Sequence, residues 1–307
     1  MTNMPVQLND TNVGHTAHFC DPMDTTMVLS FLDHIESQFN AKPSILHGMY
    51  SDKFAEYRAT GKKRIGGFLT KSAKRPASDF FIFRFSLENH EILKGFRIST
   101  HSLVDGNSYS LIDVSFSMDQ DHLGHIEKIG HTIAKLTGKV SGFSLGDVPY
   151  DFFSSYAKGS VGFIDSFPNC DERLYKAFDN ELFWYGRLAR QIDLENRYGL
   201  FRNIYPYNFL CEEKIFTLKN IFECSQFPIL SKETEDRHKK RSKLFGDRKK
   251  PILPGTLTDL GNHSALWCVP NEERKATFAI LEAANMMIYR FFIDHNDLFP
   301  TDQLVED

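Results

Sequence analysis

The sequence predicts an α+β fold, with an antiparallel sheet and covering helices in the N-terminal half and a more helical C-terminal half. Three observations predict it. In DFFIFRFSL, Phe81, Phe83, Phe85 and Leu87 fall on one side of an extended chain, and Arg84 and Ser86 on the other. YSLIDVSFSM repeats the alternation, with Ile112, Val114, Phe116 and Met118 set against Asp113, Ser115 and Ser117. Helical stripes stand beside these strands. Val28, Leu32, Ile35 and Phe39 form one, and Ile126, Ile129, Ile133 and Leu136 form another.

The elements follow in order. His15 to Cys20 reads as a short strand, and Asp21 or Asp24 offers a carboxylate to cap the helix behind it. Lys42 and Pro43 end that helix, and Ser44 to Met49 extends again. The segment from Ser51 to Ser78 contains GKKRIGGFLTKSAKR, and its glycines and Pro76 predict a loop or a broken helix. GFRIST is a strand after DFFIFRFSL, and Asp105 to Asn107 make a turn before YSLIDVSFSM. Asp119 or Asp121 starts the next helix and Gly138 suits its C-terminal cap. VSGFSLG is strand or turn. HFCDPMD, helix, AKPSILHG is echoed by VSFSMDQD, helix, GKVSGFSLG, which suggests a duplicated strand–helix–strand (βαβ) unit.

We read residues 1–149 as the sheet domain. Residues 150–307 read as a mainly helical region with one short strand, free to pack as one unit with the first. Asp171 to Arg190 carries a stripe of Leu174, Phe178, Leu182 and Tyr185. In YGLFRNIYPYNFL, Pro206 biases Tyr205 toward an extended backbone. Asn208 is placed to cap a helix with Cys211, Ile215, Leu218 and Phe222 on its stripe. Glu212 and Glu213 lie in the first turn, where the dipole favours acids. ALWCVP is the short strand, and Asn271 caps EERKATFAILEAA. SKETEDRHKKRSKLFGDRKKP has no apolar period and reads as an exposed loop.

Composition narrows the function. Apolar residues make up 41% of the 307, enough for a large core, and the formal charge is −4. That balance argues against a whole-surface affinity for nucleic acid or anionic membrane. The five cysteines are odd in number, scattered, and never in a CxxC pair, which fits reduced thiols in a cytoplasmic protein. MTNMPVQLND lacks the basic-then-apolar pattern of a signal peptide. No stretch reaches the roughly 18 apolar residues of a membrane span.

The chemical motifs are sparse. GFSLG matches G-x-S-x-G, with Ser144 as the serine and Asp259 and His263 downstream. A nucleophile elbow needs a buried strand before the serine and a helix directly after it. Here only Lys139 to Ser141 precede the motif, and Asp147, Val148 and Pro149 follow it. A serine hydrolase built on Ser144 is therefore an alternative reading. His15 and His18 face opposite ways on a strand, while His122 and His125 share a helix face. As solvated helix-surface histidines they do not amount to a metal site, which needs three or four converging ligands. No phosphate-binding glycine loop is present, so neither a metal nor a cofactor is expected. Two basic runs remain. One holds Lys62, Lys63, Arg64, Lys71, Lys74 and Arg75. The other runs from Arg237 through Lys239, Lys240, Arg241 and Lys243 to Arg248, Lys249 and Lys250. They read as solvated loops, as a face for an acidic protein, or as a track for nucleic-acid phosphates.

The early helix after HFCD, DFFIFRFSL with FRIST, YSLIDVSFSM with its helix, SGFSLG and RNIYPYNFL come in an order that resembles the type VI secretion immunity family. Those bacterial cytoplasmic proteins neutralise a toxin delivered by a neighbouring cell. The charged loop from Ser231 to Lys250 departs from the family pattern. The resemblance implies stoichiometric binding to a cognate protein toxin, with no catalysis. Exposed aromatic and basic residues would then carry the contact, and Arg202, Tyr205, Tyr207, Lys239, Lys240 and Arg241 are the candidates.

Overall fold

The computed structural model describes residues 13–50, 57–60, 62–72, 80–87, 90–102, 108–118, 121–137, 140–146, 157, 195–196, 199–202, 204–236 and 249–288. At its centre lies β1 (Val13–Cys20), every residue of which is buried. It pairs antiparallel with β6 (Ser108–Ser117) on one side and β7 (Val140–Gly146) on the other. Outward from β6 come β5 (Leu93–Ser102), β4 (Phe80–Ser86), β2 (Ile45–Tyr50) and the edge strand β3 (Tyr57–Thr60). Outward from β7 come β8 (Tyr207–Leu210), β10 (Ser264–Cys268) and the edge strand β9 (Thr256–Gly261). All these pairings are antiparallel, so the predicted α+β class with an antiparallel sheet is what the chain forms.

The expected repeat corresponds to two crossovers. β1, α1 (Thr25–Phe39) and β2 make one; β6, α3 (His122–Thr137) and β7 make the other. In each the two strands run the same way, because an odd number of antiparallel strands lies between them: three in the first, β1 alone in the second. The starting strands β1 and β6 pair with each other at the middle of the sheet.

Strand alternation decides what each face buries. Phe83, Phe85, Phe96, Ile98, Ile112, Val114 and Phe116 join one core with α1, α2 (Lys62–Ser72) and α3. Asp24 caps α1 by accepting from the Met27 amide at 2.8 Å, and Asn40 closes it in the left-handed region at φ 51°. Phe31 is as deeply buried as Val28 and Ile35, while Leu32 is half-buried, so the working stripe is rotated slightly from the predicted one.

The segment read as a loop or broken helix contains both β3 and α2. Gly66 and Gly67 sit inside α2, where each costs about 1 kcal/mol relative to alanine. Ile65 and Leu69 are buried in the core, and Phe68 meets Phe83 edge-on at 5.9 Å. Burying each such side chain contributes about 2 kcal/mol, so packing wins over propensity.

The second half also departs from expectation. It supplies three strands, β8, β9 and β10, where one was foreseen, and the sheet crosses residue 149 through the β7–β8 pairing. Its helices α4 (Glu212–Ile221) and α5 (Asn271–Ala283) pack with Leu210, Leu257, Ala265 and Trp267 into a second core. Those four residues alternate with Phe209, Leu260 and Leu266 of the first core, so β8 and β10 are buried on both faces while β9 sends one leucine to each core. The cap of α4 is the backbone at Cys211, without a side-chain bond. Pro270, not Asn271, occupies the cap position of α5. The expected helix Asp171 to Arg190, the turn Asp105 to Asn107 and Gly138 lie outside the described residues.

Candidate functional site

The segment from Gly199 to Leu210 is tied to its surroundings at Gly199, Phe201, Arg202, Tyr205 and Asn208. Gly199 takes φ +66°, and a β-carbon there would stand 2.3 Å from the Glu213 carbonyl oxygen, so α4 packs directly on its backbone. Phe201 exchanges backbone hydrogen bonds with Met286 and Ile288. Tyr205 stacks on Phe143 of β7 at 4.3 Å. Asn208 does not cap a helix. Its side-chain oxygen accepts from the Tyr205 amide at 3.0 Å, and its nitrogen donates to the Tyr205 carbonyl at 2.7 Å. It thereby closes the turn around Pro206 from inside the core, and β8 intervenes before α4.

Arg202 anchors the segment. Its guanidinium lies over the rings of Phe19 and Phe143, at 5.0 and 5.6 Å. Its Nε donates to Glu195 Oε1 at 3.2 Å, and one terminal nitrogen donates to the Ala157 carbonyl. Lys214 of α4 donates to the other oxygen of Glu195 and faces the ring of Phe201. Burial alone would push the Glu195 carboxyl up; the Lys214 ammonium and Arg202 guanidinium beside it outweigh that and hold it below the usual range. Two cations and one anion meet here, all buried. On β5 and β6, Arg97 and Asp113 form a second buried ion pair.

The candidate contact residues therefore divide. Arg202 and Tyr205 are 3% and 6% exposed, and serve the core rather than a surface. Tyr207 is half-buried, and its hydroxyl hydrogen-bonds His122 Nε2 of α3 at 2.7 Å. Lys239, Lys240 and Arg241 lie outside the described residues. Sequence reasoning missed Glu195 and Lys214. For Lys214 a signal existed, since it lies three residues after Cys211 and four before Leu218, on their stripe. For Glu195 there was none.

The chemical motifs are absorbed into the scaffold. GFSLG lies inside β7, between β1 and β8, and forms no elbow. Ser144 is 1% exposed and donates to the His15 carbonyl at 3.0 Å. Asp259 accepts from the Gly261 amide, and His263 bonds the Ile229 carbonyl. Of the histidines on α3, His125 is buried rather than solvated, His122 is half-buried against Tyr207, and His131 is exposed as expected and bonds the Leu260 carbonyl. His15 pairs with Ser115 across the strands. His18 is buried on the helix-covered face against Phe209, without a hydrogen bond at either ring nitrogen, and burial pushes it down to about 3. No group of three His, Cys, Asp or Glu side chains that could hold a metal ion occurs among the described residues. The four described cysteines are free thiols. No described helix is long and apolar enough to cross a membrane.

Lys62, Lys63, Arg64 and Lys71 of the first basic run lie in α2, where Lys63, Arg64 and Lys71 are exposed, while Lys74 and Arg75 lie outside the described residues. Of the second run, Lys249 and Lys250 are described, and Lys250 donates to the Lys219 carbonyl.

No family model matches this chain, and no curated protein does. Among solved structures, it is similar to a chain in the crystal structure of the toxic C-terminal tip of CdiA from Pseudomonas aeruginosa in complex with immune protein. The identity is 14%, the TM-score is 0.26, and the likeness covers 43% of this chain and 86% of that one.

Proposed function

We propose that this chain is a non-catalytic immunity protein that binds and neutralises a cognate bacterial toxin. The reading begins from the sequence pattern that resembles the type VI secretion immunity family. Delivery by that route, competition between bacterial cells and a cytoplasmic site of action come with the pattern. The CdiA structure also holds a toxin together with an immune protein, but a likeness that small lends the reading no weight.

The observation that carries it is how the chemistry-bearing side chains are used. The Ser144 hydroxyl is committed to the His15 carbonyl inside the sheet, and Glu195 is committed to Arg202 and Lys214 inside the core. Groups spent this way stiffen a scaffold. A stiff scaffold suits stoichiometric recognition, because little ordering entropy is lost when the partner docks.

The test uses the tagged full chain as bait in lysate of the native cell, followed by co-expression of whatever it captures. We expect one stoichiometric partner with a toxin domain, whose toxicity disappears when this chain is present. Ser144→Ala should leave that protection intact. Ester turnover by the purified chain that stops in Ser144→Ala would overturn the reading, as would a captured toxin that stays fully toxic in the presence of the chain.

A further inference from the structure

α2 carries two features that its own packing does not explain. The first is charge. Lys63, Arg64 and Lys71 are all exposed, and the helix contains no acidic residue. The second is glycine. Among the described residues, a β-carbon on Gly66 or Gly67 would meet nothing within 4 Å, and neither glycine takes a positive φ. Alanine would fit at both positions and would strengthen the helix. The space above this backbone is open, and the sequence leaves it bare.

The two features coincide. Lys63 and Arg64 stand four and three residues before Gly67; Thr70 and Lys71 stand three and four after it. Those are its neighbours on the helix surface. Gly67 is exposed, as all four of them are. The result is a flat spot of bare backbone framed by three cations and a hydroxyl. The opposite side of α2 is fixed to the core through Ile65 and Leu69, so the spot is held on a rigid element. α2 follows directly after β3, the edge strand, so the surface stands at the border of the sheet.

We infer that the exposed face of α2, centred on Gly67 and framed by Lys63, Arg64, Thr70 and Lys71, is a docking surface for an acidic segment of a protein partner. The glycine admits close approach of the partner's backbone, and the cations pair with its carboxylates. Charge complementarity sets the sign: three exposed cations on a helix with no acid of its own favour an anionic partner. The bare glycine argues for a protein over a phosphate chain. Long lysine and arginine side chains reach phosphates without any need for backbone contact, whereas a packed helix or strand needs small residues beneath it. The net charge of −4 also sets the chain as a whole against a polyanion, while a local acidic patch on a folded partner feels chiefly the cations next to it. The inference deepens the immunity reading by giving the chemistry of the toxin surface, and rests on that reading for the partner's identity.

The experiment uses the full chain, Lys63→Glu/Arg64→Glu/Lys71→Glu, and Gly67→Ala. The probes are a labelled Glu-rich helical peptide of about 20 residues and a short labelled DNA duplex, read by fluorescence anisotropy at low and physiological salt. Thermal melts accompany each protein. We expect the peptide to bind the unaltered chain, and the triple variant to lose at least about fivefold in affinity. Gly67→Ala should lose a similar factor while its melting temperature rises by about 2 °C, because the added methyl helps the helix and obstructs the approach. Undiminished peptide binding by either variant would overturn the inference. So would tighter binding of the duplex than of the peptide through the same cations. Because the peptide is synthetic, failure here leaves the capture of a toxin untouched, and failure to capture a toxin leaves this result standing.

Discussion

The two faces of the central sheet solve the problem of burial in different ways. Under α1, α2 and α3 the face is apolar, with Phe83, Phe85, Phe96, Ile112 and Phe116 in one cluster. Its one ionisable ring on β1, His18, is buried without a hydrogen bond and kept neutral. The other face presents Arg97 with Asp113, His15 with Ser115, and the aromatic platform of Phe19 and Phe143 beneath Arg202. The first face is stable because hydrocarbon dominates it and its one imidazole stays neutral. The second is stable only while its charges remain matched. The lesson is that burial is cheap for hydrocarbon and conditional for ions.

Mutation should separate the faces. The largest effect is expected at Glu195. Glu195→Ala leaves Arg202 and Lys214 buried beside each other without their anion and should cost about 3–5 kcal/mol in urea unfolding. Replacing all three together by Leu, Met and Met should cost far less, since no unmatched charge remains. If the single and the triple replacements cost the same, the ionic account of that face is wrong. On the apolar face Phe31→Ala should cost about 3 kcal/mol through its cavity, with no dependence on salt or pH.

Acid should distinguish the faces by where its effect begins. His18 has its folded value lowered from 6.5 to about 3, so the unfolded chain binds the extra proton first. Stability on its account is therefore complete above about 6.5 and falls as pH drops from there toward 3, by at most about 1.4 kcal/mol per pH unit. Glu195 is also lowered, from an ordinary value of 4.5, so its contribution is present above 4.5 and lost only below it. Urea melts of His18→Leu between pH 7 and 5 should show a flatter curve than the unaltered chain. An unchanged slope in that range would mean that His18 is not the source. The smallest effect belongs to a residue on neither face: Asp24→Ala should cost about 1 kcal/mol through the lost cap, and less than a few tenths would show that water replaces it.

The legible part of this fold was the part whose signal is local. β4, β6, α1 and α3 declare themselves by period, because each is long enough to show several repeats of its own pattern. β8 and β10 are four and five residues long and buried on both faces, so no alternation marks them. α2 was obscured by two glycines whose helical state is decided by Ile65 and Leu69 against a core built elsewhere in the chain. The chemistry was less legible still. Arg202 has the residue type of a surface hot spot, but its fate is decided by Phe19 and Phe143 on strands far away in sequence. The partnership of His122 with Tyr207 spans 85 residues, and no spacing rule reaches that far.

The placement of β1 at the middle of the sheet sets a timetable for synthesis. Its partners on β6 and β7 follow it by about 100 to 130 residues, as the contacts of His15 with Ser115 and Ser144 show. At about 5–20 residues per second a ribosome needs several seconds to deliver them. Until β6 emerges, a wholly core-bound strand, with Phe19 and two open backbone edges, has neither of its native partners. Pairing on both edges of β1 is therefore complete only once residue 146 has emerged.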